Sequence, residues 1–266
     1  MSGSLVNKGA MARNFSGAAK RYEAWATAQA QIAAALVKRL PAKLGPGVMV
    51  DLGCGTGLLA AGLLARYPAG AVVGIDLAKG MIEHASHRYR DDPRLRFVCG
   101  DAEDTGLLVP DTALVACASS SQWFHDARGT LTMWADSLAS GGVLAVASLI
   151  QGSCAELAES YAIAAERPFA GLRFPPASLL PHMAADANLR IISCDQVSVQ
   201  TQYRNANEAL RSFRQIGAVI QGHAADTRLT PWQTRRLICA YRQHATADGR
   251  APVTYQVQYL IAEKRP

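Results

Sequence analysis

The chain contains 266 residues, of which 50% are apolar and 18% are charged, and its formal net charge is +6. This length and composition predict a soluble globule, built as one large α/β domain or two smaller ones. No run of about 20 apolar residues is present to span a bilayer. The N-terminal residues MSGSLVNKGAMARN also lack the apolar core of a secretory signal. We therefore expect a cytoplasmic protein without a membrane partner.

The charged residues are unevenly distributed along the chain. Residues 1–50 carry seven Lys and Arg against one Glu, residues 201–250 carry eight Arg against three acids, and residues 51–200 have a net charge of −6. This split favours either an acidic partner, attracted by long-range steering, or ordinary solvated helix faces. A nucleic-acid partner is not expected, because no recognition module is evident. The six cysteines are scattered without a C-x-x-C pair, so neither a zinc site nor a disulfide framework is predicted.

Residues 14–40 are alanine-rich and predict one or two helices, which end before Pro41. A stripe of larger side chains recurs there at steps of three and four residues, and it consists of Phe15, Tyr22, Trp25, Gln29 and Ile32. Such a stripe usually packs against the core. A helix directly before the first strand of a cofactor-binding fold is also well placed to lie over the cofactor.

Residues 48–63, VMVDLGCGTGLLAAGL, predict a strand, a tight turn and a helix. The apolar strand ends in Asp51, and three glycines follow at alternate positions: Gly53, Gly55 and Gly57. Glycine allows positive φ and a close approach of a bound molecule, and the new helix directs its free N–H groups at that molecule. The dinucleotide fingerprint G-x-G-x-x-G would need glycine at position 58, which is Leu58. A purely structural βα turn is the alternative.

Two further acids follow predicted strands. Residues 71–75 form a strand that ends in Asp76, and residues 95–99 form a strand followed by Gly100 and Asp101. Since the carboxyl ends of parallel strands share one edge of a sheet, we expect Asp51, Asp76 and Asp101 to lie along one ligand-binding edge. An ionised Asp76 can accept both ribose hydroxyls of a nucleoside. Met81, on the helix predicted for residues 79–89, can pack on an adenine ring or fill the core.

The remaining pattern completes an α/β fold with a doubly wound, mostly parallel seven-stranded sheet and an antiparallel C-terminal strand. Strands are predicted at 112–118, 143–150, 190–203 and 252–262. Helices are predicted at 127–140, where Gly141-Gly142 would act as the cap, and at 153–167, 176–187, 205–219 and 231–244. We expect a single domain, 1–266, with an N-terminal helical cap (14–40), a cofactor-binding core (48–150) and helical lid insertions (151–187 and 204–250).

These features resemble the Rossmann-like class I methyltransferases, which use S-adenosylmethionine. The generic part of the resemblance is DLGCGTG. More narrowly, the chain is similar to malonyl-acyl carrier protein O-methyltransferases of biotin synthesis through the segments FSGAAKRYEAWATAQ, SSSQWF, LIQGSCAEL, AAERPFAGLRFPP, LRSFRQIGA and LTPWQTRRL. One departure is that this family usually has Ser-Asn after the fourth strand, where this chain has Ser119-Ser120.

The resemblance implies transfer of a methyl group from S-adenosylmethionine to the free carboxylate of a malonyl thioester on acyl carrier protein. It implies that the cofactor is bound by Asp51, Gly53, Gly55, Gly57, Asp76, Leu77, Met81, Asp101, Ala102, Ser119 and Gln29. The carboxylate is expected to be held by Tyr22, Arg211 and Arg173, because a guanidinium offers a bidentate fork and a phenol donates one hydrogen bond. No metal is implied.

Carrier proteins of fatty acid synthesis are acidic, so the resemblance gives the basic segments a transient docking role. The expected docking residues are Lys20, Arg21, Arg204, Arg214, Arg235 and Arg236. Two alternatives remain open at this point. The acceptor can be another small carboxylate, a quinone or a phenol, for which a base such as His182 would be needed. The chain can also be a non-catalytic S-adenosylmethionine-binding regulator.

Overall fold

The computed structural model describes residues 7–169, 171, 174–218 and 229–265. The described strands are β1 (Met49–Leu52), β2 (Val72–Asp76), β3 (Leu95–Cys99), β4 (Thr112–Ala118), β5 (Leu138–Leu149), β6 (Leu189–Tyr203) and β7 (Ala251–Lys264). The described helices are α1 (Lys8–Trp25), α2 (Thr27–Arg39), α3 (Leu58–Arg66), α4 (Lys79–Arg88), α5 (Ala127–Ser137), α6 (Ala155–Ala165), α7 (Leu179–Asp186), α8 (Ala206–Gln215) and α9 (Pro231–Tyr241). Among the described residues, no helix is both long and apolar enough to cross a membrane.

The described strands form one seven-stranded sheet in the order β3-β2-β1-β4-β5-β7-β6. The pairs from β3 through β5 are parallel, whereas β7 runs antiparallel to both of its neighbours, β5 and β6. The predicted doubly wound, mostly parallel sheet with an antiparallel C-terminal strand is therefore confirmed. Strand order reverses between β1 and β4, which is where ligands bind in open α/β sheets.

The sheet separates two apolar cores because successive side chains of a buried strand point to opposite faces. In β4, Leu114 packs into the core formed with α2, α3, α6, α8 and α9, whereas its neighbour Val115 packs into the core formed with α5 and α7. Trp134 of α5 is fully buried on the second face, and its indole N–H donates to the carbonyl of Ala102 at 3.1 Å. This bond ties α5 to the loop after β3, beside the edge of the sheet where the candidate site lies.

The insertion helices lie mostly on the first face of the sheet. Buried side chains of α6, α8 and α9, among them Tyr161, Phe213 and Tyr241, belong to the same core as α2 and α3. α7 instead packs on the second face through Leu180 and Met183. The division into a cap, a cofactor core and lids stays a prediction.

Helix α1 lies against the first turn of α4 through a position that only glycine fits. A Cβ on Gly80 would lie 2.7 Å from the carbonyl oxygen and 2.8 Å from the Cα of Ser16. The Gly80 N–H donates to the Ser16 hydroxyl at 3.1 Å, so the two helices are joined by a hydrogen bond as well as by contact. This approach fixes the N-terminal helix over the edge of the sheet where β1 and β2 end.

Three predicted boundaries need correction. The N-terminal helix begins at Lys8 rather than near residue 14, because the Asn7 side chain caps it by accepting from Ala10 N–H. Asp51 lies inside β1, which continues to Leu52, so it does not end its strand. Gly141-Gly142 does not cap α5: that helix ends at Ser137, and both glycines lie within β5, where Gly141 has a φ of +73°.

The Gly80 contact predicts opposite effects for two glycine-to-alanine substitutions. Gly80→Ala should lower the free energy of unfolding by about 1–3 kcal/mol, because the added methyl overpacks against the Ser16 backbone. Gly17→Ala is the matched control, since Gly17 lies in α1 with open space around it. It should raise stability by about 0.5–1 kcal/mol through helix propensity alone. Urea unfolding measures both, and an equal effect of the two substitutions would contradict the packing argument.

Candidate functional site

The three glycines after β1 all have positive φ, but each occupies a different structural environment. A Cβ on Gly53 would overlap the hydroxyl of Ser120, so this glycine lets the turn pass under the end of β4. A Cβ on Gly55 would meet no atom within 4 Å beyond its chain neighbours, so the outer side of this residue is open. Gly57 faces away from that opening, where a Cβ would lie 2.9 Å from both Phe97 and Tyr89. The turn therefore passes close to the end of β4 at Gly53, exposes its backbone at Gly55 and packs against Phe97 and Tyr89 at Gly57.

A cleft of about 670 Å³, including its open mouth, lies beside this turn. The described residues that line it are Lys8, Met11, Phe15, Tyr22, Gly53, Gly55, Asp76, Leu77, Met81, Asp101, Ala102, Ala118, Ser119, Ser120, Trp123 and Phe124. They come from α1, from the first turn of α4 and from the carboxyl ends of β1, β2, β3 and β4 together with the loops that follow these strands. A cleft therefore lies at the predicted ligand-binding edge of the sheet.

Asp76, the last residue of β2, holds the floor of the cleft together. One carboxylate oxygen accepts from Gly55 N–H at 2.9 Å, and the other accepts from Ala78 N–H at 2.8 Å. Burial raises the pKa of Asp76, and these two backbone bonds oppose that rise. Each carboxylate oxygen has a second lone pair. Asp76 can therefore hold the glycine turn and accept hydrogen bonds from a ligand in the cleft.

Asp51 lies in the sheet beneath the turn and is not among the residues that line the cleft. Its side chain is 1% exposed, and its Oδ2 atom has no hydrogen-bond partner among the described residues. Burial raises the pKa of Asp51 to about 8, a rise that the Ala60 backbone N–H opposes and that the charge of Asp76 reinforces. The structure thus holds a buried, incompletely satisfied acid directly under the glycine turn.

Asp101 lies at the far end of the cleft, two residues after β3, and is paired with a cation from α1. Lys8 Nζ lies 2.6 Å from Asp101 and also contacts Glu103. Glu103 accepts from the backbone N–H groups of His125 and Asp126. Its pKa is lowered to about 2, because these bonds and the Lys8 ammonium outweigh its burial. Lys8 therefore links the start of α1 to the loops after β3 and β4.

One face of α1 forms the roof of the cleft. Lys8, Met11, Phe15 and Tyr22 follow a helical spacing and all line it. The Phe15 ring meets Trp123 edge to face, with centroids 5.7 Å apart. Burial, followed by the charges of Asp76 and Glu23, raises the pKa of Tyr22. The Tyr22 hydroxyl is therefore a hydrogen-bond donor at neutral pH.

The end of β4 carries polar atoms without partners. Ser119 has a φ of +56°, a strained conformation for a residue other than glycine, and it lines the cleft. Gln122 donates to the Ser119 carbonyl at 2.8 Å. Among the described residues, neither Ser119 Oγ nor Gln122 Oε1 has a hydrogen-bond partner. A polar ligand would satisfy Ser119 Oγ, which supports its predicted role in binding.

Of the other predicted site residues, Leu77, Met81 and Ala102 line the cleft, whereas Gln29 and Arg211 are not among the residues that do. Gln29 is half-buried on α2, beside Tyr255. Arg211 is exposed on α8. Arg173 lies outside the described residues, and its role stays a prediction.

Several residues that line the cleft have no predicted site role: Lys8, Met11, Ala118, Ser120, Trp123 and Phe124. Part of this set is detectable in the sequence, because Lys8 and Met11 extend the helical stripe of Phe15 and Tyr22 toward the N-terminus. A helix that is predicted to start at residue 14 leaves these two positions out.

The buried carboxyl of Asp51 predicts a pH-dependent stability. Its folded pKa, about 8, lies above the ordinary value of 3.8, so its contribution is fully present below pH 4 and is lost as the pH rises through 8. Between these limits the free energy of unfolding should fall by up to about 1.4 kcal/mol per pH unit. Asp51→Asn should make the fall in stability with pH shallower, whereas Asp91→Asn, at an exposed site, should leave it unchanged. If denaturant unfolding at several pH values gave Asp51→Asn the slope of the parent chain, the buried acid would be titrating normally.

Residues 49–142 match the family described as "Methyltransferase domain". The malonyl-[acyl-carrier protein] O-methyltransferase of Acetivibrio thermocellus is 29% identical, and the match covers 98% of this chain and 95% of that protein. Enzymes of the same name from Herminiimonas arsenicoxydans and Dechloromonas aromatica are also 29% identical. These matches cover 97% and 98% of this chain, respectively, and 97% of each relative.

Solved structures show the same fold at low identity. The YcgJ protein from Bacillus subtilis superposes with a TM-score of 0.61 at 15% identity, over 89% of this chain and 99% of that chain. Geranyl diphosphate C-methyltransferase from Streptomyces coelicolor superposes with a TM-score of 0.53 at 16% identity, over 87% of this chain and 78% of that chain. The matched domain and the relatives support an S-adenosylmethionine-dependent methyltransferase, and the chain is similar to malonyl-acyl carrier protein O-methyltransferases along nearly its whole length.

Proposed function

We propose that this protein transfers the methyl group of S-adenosylmethionine to the free carboxylate of a malonyl thioester on acyl carrier protein. The product is the malonyl methyl ester that primes the pimelate moiety of biotin, and we place the reaction in the cytoplasm. The observation that carries the proposal is the extent of the match: malonyl-acyl carrier protein O-methyltransferases align with 97–98% of the chain. The aligned region includes the insertions as well as the cleft, and insertions are the parts in which methyltransferase families differ.

The cleft suits a nucleoside that carries an amino acid. Asp76, at the tip of β2, would accept from the ribose hydroxyls, and Met81, 1% exposed beneath the cleft, would pack on the base together with Leu77. Asp101 and Ala102 line the far end, where the adenine amino group would be bound. The open backbone at Gly55 leaves room for the remainder of the cofactor beside the turn. Ser119 Oγ supplies an unpartnered polar atom there.

The remaining predicted cofactor residues act less directly. Asp51 and Gly57 are placed to shape the turn from below, since neither lines the cleft. Gln29, beside Tyr255 on α2, keeps its predicted role in binding the cofactor as part of this proposal.

The reaction requires little acid–base machinery. When bound, S-adenosylmethionine supplies a methyl group on a positively charged sulfur, ready for transfer to a nucleophilic oxygen. A carboxylate with a pKa of about 4 is already ionised at neutral pH, so no residue of the chain has to remove a proton from it. The cleft agrees with such an acceptor, since no histidine or cysteine is among the described residues that line it. His182, the base considered for a phenol acceptor, is exposed on α7.

Tyr22 is the candidate supported by the cleft for holding the substrate carboxylate. It lines the roof, and its raised pKa keeps the hydroxyl protonated and able to donate. Methylation removes the negative charge of the acceptor, so the hydrogen bond weakens and the ester leaves more readily than the acid binds. Arg211 and Arg173 remain proposed partners for the same carboxylate, although Arg211 is exposed on α8.

Aromatic side chains around the cleft make the other contribution to catalysis, which is alignment of the two reactants. Phe15, Trp123 and Phe124 line the cleft, and Phe124 is fixed edge to face on the buried Trp134 ring at 5.5 Å. Rigid walls of this kind orient two bound reactants and exclude water from between them. Effective molarities of about 10⁵–10⁸ M in well-oriented systems show how much rate can come from alignment alone.

The test is methyl transfer by the purified protein from methyl-labelled S-adenosylmethionine to malonyl-carrier protein. The label should appear as a methyl ester, and acetyl-carrier protein, which has no free carboxylate, should accept none. Tyr22→Phe should lower kcat/KM for the malonyl substrate about tenfold or more, as expected for a lost hydrogen bond to a charged group. Initial rates measured with both proteins give these values.

Tyr89→Phe is the matched control, because Tyr89 caps the end of α4 outside the cleft. Its kcat/KM should equal that of the parent chain. Labelling of a quinone or phenol in preference to malonyl thioesters would contradict the proposed acceptor. Cofactor binding without transfer to any of these acceptors would identify a regulator instead. An unchanged kcat/KM in Tyr22→Phe would remove Tyr22 from the carboxylate site.

A further inference from the structure

Helices α1 and α8 lie side by side in opposite directions, and together they form one outer surface of the protein. At one end, the Trp25 ring of α1 stacks on Tyr203, which precedes α8, with centroids 6.4 Å apart and planes 16° apart. At the other end, Gly217, which follows α8, lies so close to Asn14 and Phe15 that a Cβ would be about 3.0 Å from their backbone. Two anchors at opposite ends therefore hold the pair together.

The solvent side of this pair is strongly basic, and we name it the α1/α8 surface. Its exposed cations are Arg13, Lys20, Arg21, Arg204, Arg211 and Arg214. Arg204 pairs with Glu208 at 3.1 Å. None of the ion pairs between described residues involves Arg13, Lys20, Arg21 or Arg214. Most of the positive charge on this surface is therefore uncompensated.

The other predicted docking helix, α9, carries less uncompensated positive charge. Arg236 lies 2.7 Å from Glu166, and its guanidinium stacks over the Trp232 ring at 4.6 Å. Its charge is thus partly neutralised inside the protein, which leaves Arg235 as the exposed cation of this pair. The predicted docking residues consequently fall into two groups, and the group on the α1/α8 surface carries the larger uncompensated charge.

The α1/α8 surface also lacks large apolar side chains. The exposed large apolar residues among the described residues are Val98, Val109, Ile163, Ile191, Ile192, Val197 and Trp232, and all of them lie on other elements. A permanent interface usually has an apolar centre, whereas a charged surface without one favours fast, reversible, electrostatically steered association. The partner of this surface is therefore expected to be acidic and to bind transiently.

We propose that the α1/α8 surface is the docking site for the acidic carrier protein that presents the malonyl thioester. This inference rests on the proposed function and deepens it by assigning the partner to one surface. The opposite side of α1 forms the roof of the cleft through Phe15 and Tyr22. A partner bound to the outer side of α1 is thus separated from the cleft by a single helix, within reach of a flexible acyl-bearing arm.

The test compares binding of labelled carrier protein to charge-reversal variants by fluorescence anisotropy, which does not depend on catalysis. Arg21→Glu/Arg214→Glu should raise the Kd about tenfold or more at low salt and should flatten its salt dependence. Lys43→Glu/Arg66→Glu is the matched control, because it reverses two exposed charges before β1 and at the end of α3, near the amino end of β1, whereas α1 covers the carboxyl end of that strand. Its Kd should stay within about twofold of that of the parent chain. Arg211 is left unchanged, since a role at the substrate carboxylate is also proposed for it.

A second substrate, malonyl-coenzyme A, distinguishes a failure of this inference from a failure of the proposed function. The Arg21→Glu/Arg214→Glu variant should methylate this small thioester with unchanged kcat/KM. Equal carrier-protein binding by the two double variants would overturn the docking surface and leave the proposed function intact. The docking surface would also be overturned if the Arg21→Glu/Arg214→Glu variant lost activity toward both substrates, or if the surface bound an RNA oligonucleotide in preference to carrier protein. Carrier-protein binding that depends on Arg21 and Arg214 without methylation of either thioester would support the surface and overturn the proposed function.

Discussion

The contact between Gly80 and Ser16 holds the roof of the candidate site close to its floor. The sheet and the glycine turn provide only a floor, formed by Gly53, Gly55 and Asp76. The roof comes from α1, and α1 approaches the floor closely only because position 80 has no side chain. Its Phe15 then meets Trp123, which follows β4, so the roof is fixed on both sides of the cleft. An N-terminal helix that precedes the fold in sequence thereby becomes part of its functional centre.

Helix α1 also separates two opposite electrostatic environments. On its inner side lie Asp76 and Asp101, and on its outer side lie exposed cations such as Lys20 and Arg21. An acidic interior suits a sulfonium cofactor, which carries positive charge, and a basic exterior suits an acidic protein. Lys8 stands at the boundary, where it compensates Asp101 and Glu103. The uneven charge along the sequence thus has a structural counterpart, since α1, from the basic N-terminal segment, lies over Asp76 and Asp101 of the acidic middle segment.

The sequence predicts the sheet well because its signals are local. Apolar runs that end in acids and glycines identify the parallel strands, and β3 and β4 have the predicted ends. The prediction for Gly141-Gly142 is wrong because a glycine pair usually signals a helix end, whereas here a register irregularity between β4 and β5 admits it within a strand. The site is less accessible to sequence reasoning, since Ser120 and Trp123 reach the cleft through long-range packing that no spacing rule encodes. The exposure of Arg211, in contrast, follows from helical spacing, because Ala206, Ala209 and Phe213 share the buried face of α8 and leave Arg211 on the opposite face.

The central claim is that the cleft under α1 binds an S-adenosyl nucleoside through the acid at the tip of β2. Isothermal titration of the purified protein with S-adenosylhomocysteine measures this directly, and Asp76→Asn is compared with the exposed control Asp91→Asn. The account predicts one binding site, at least about tenfold weaker binding in Asp76→Asn, and parental affinity in Asp91→Asn. Absence of heat with S-adenosylhomocysteine, or binding of a nicotinamide dinucleotide in its place, would contradict it.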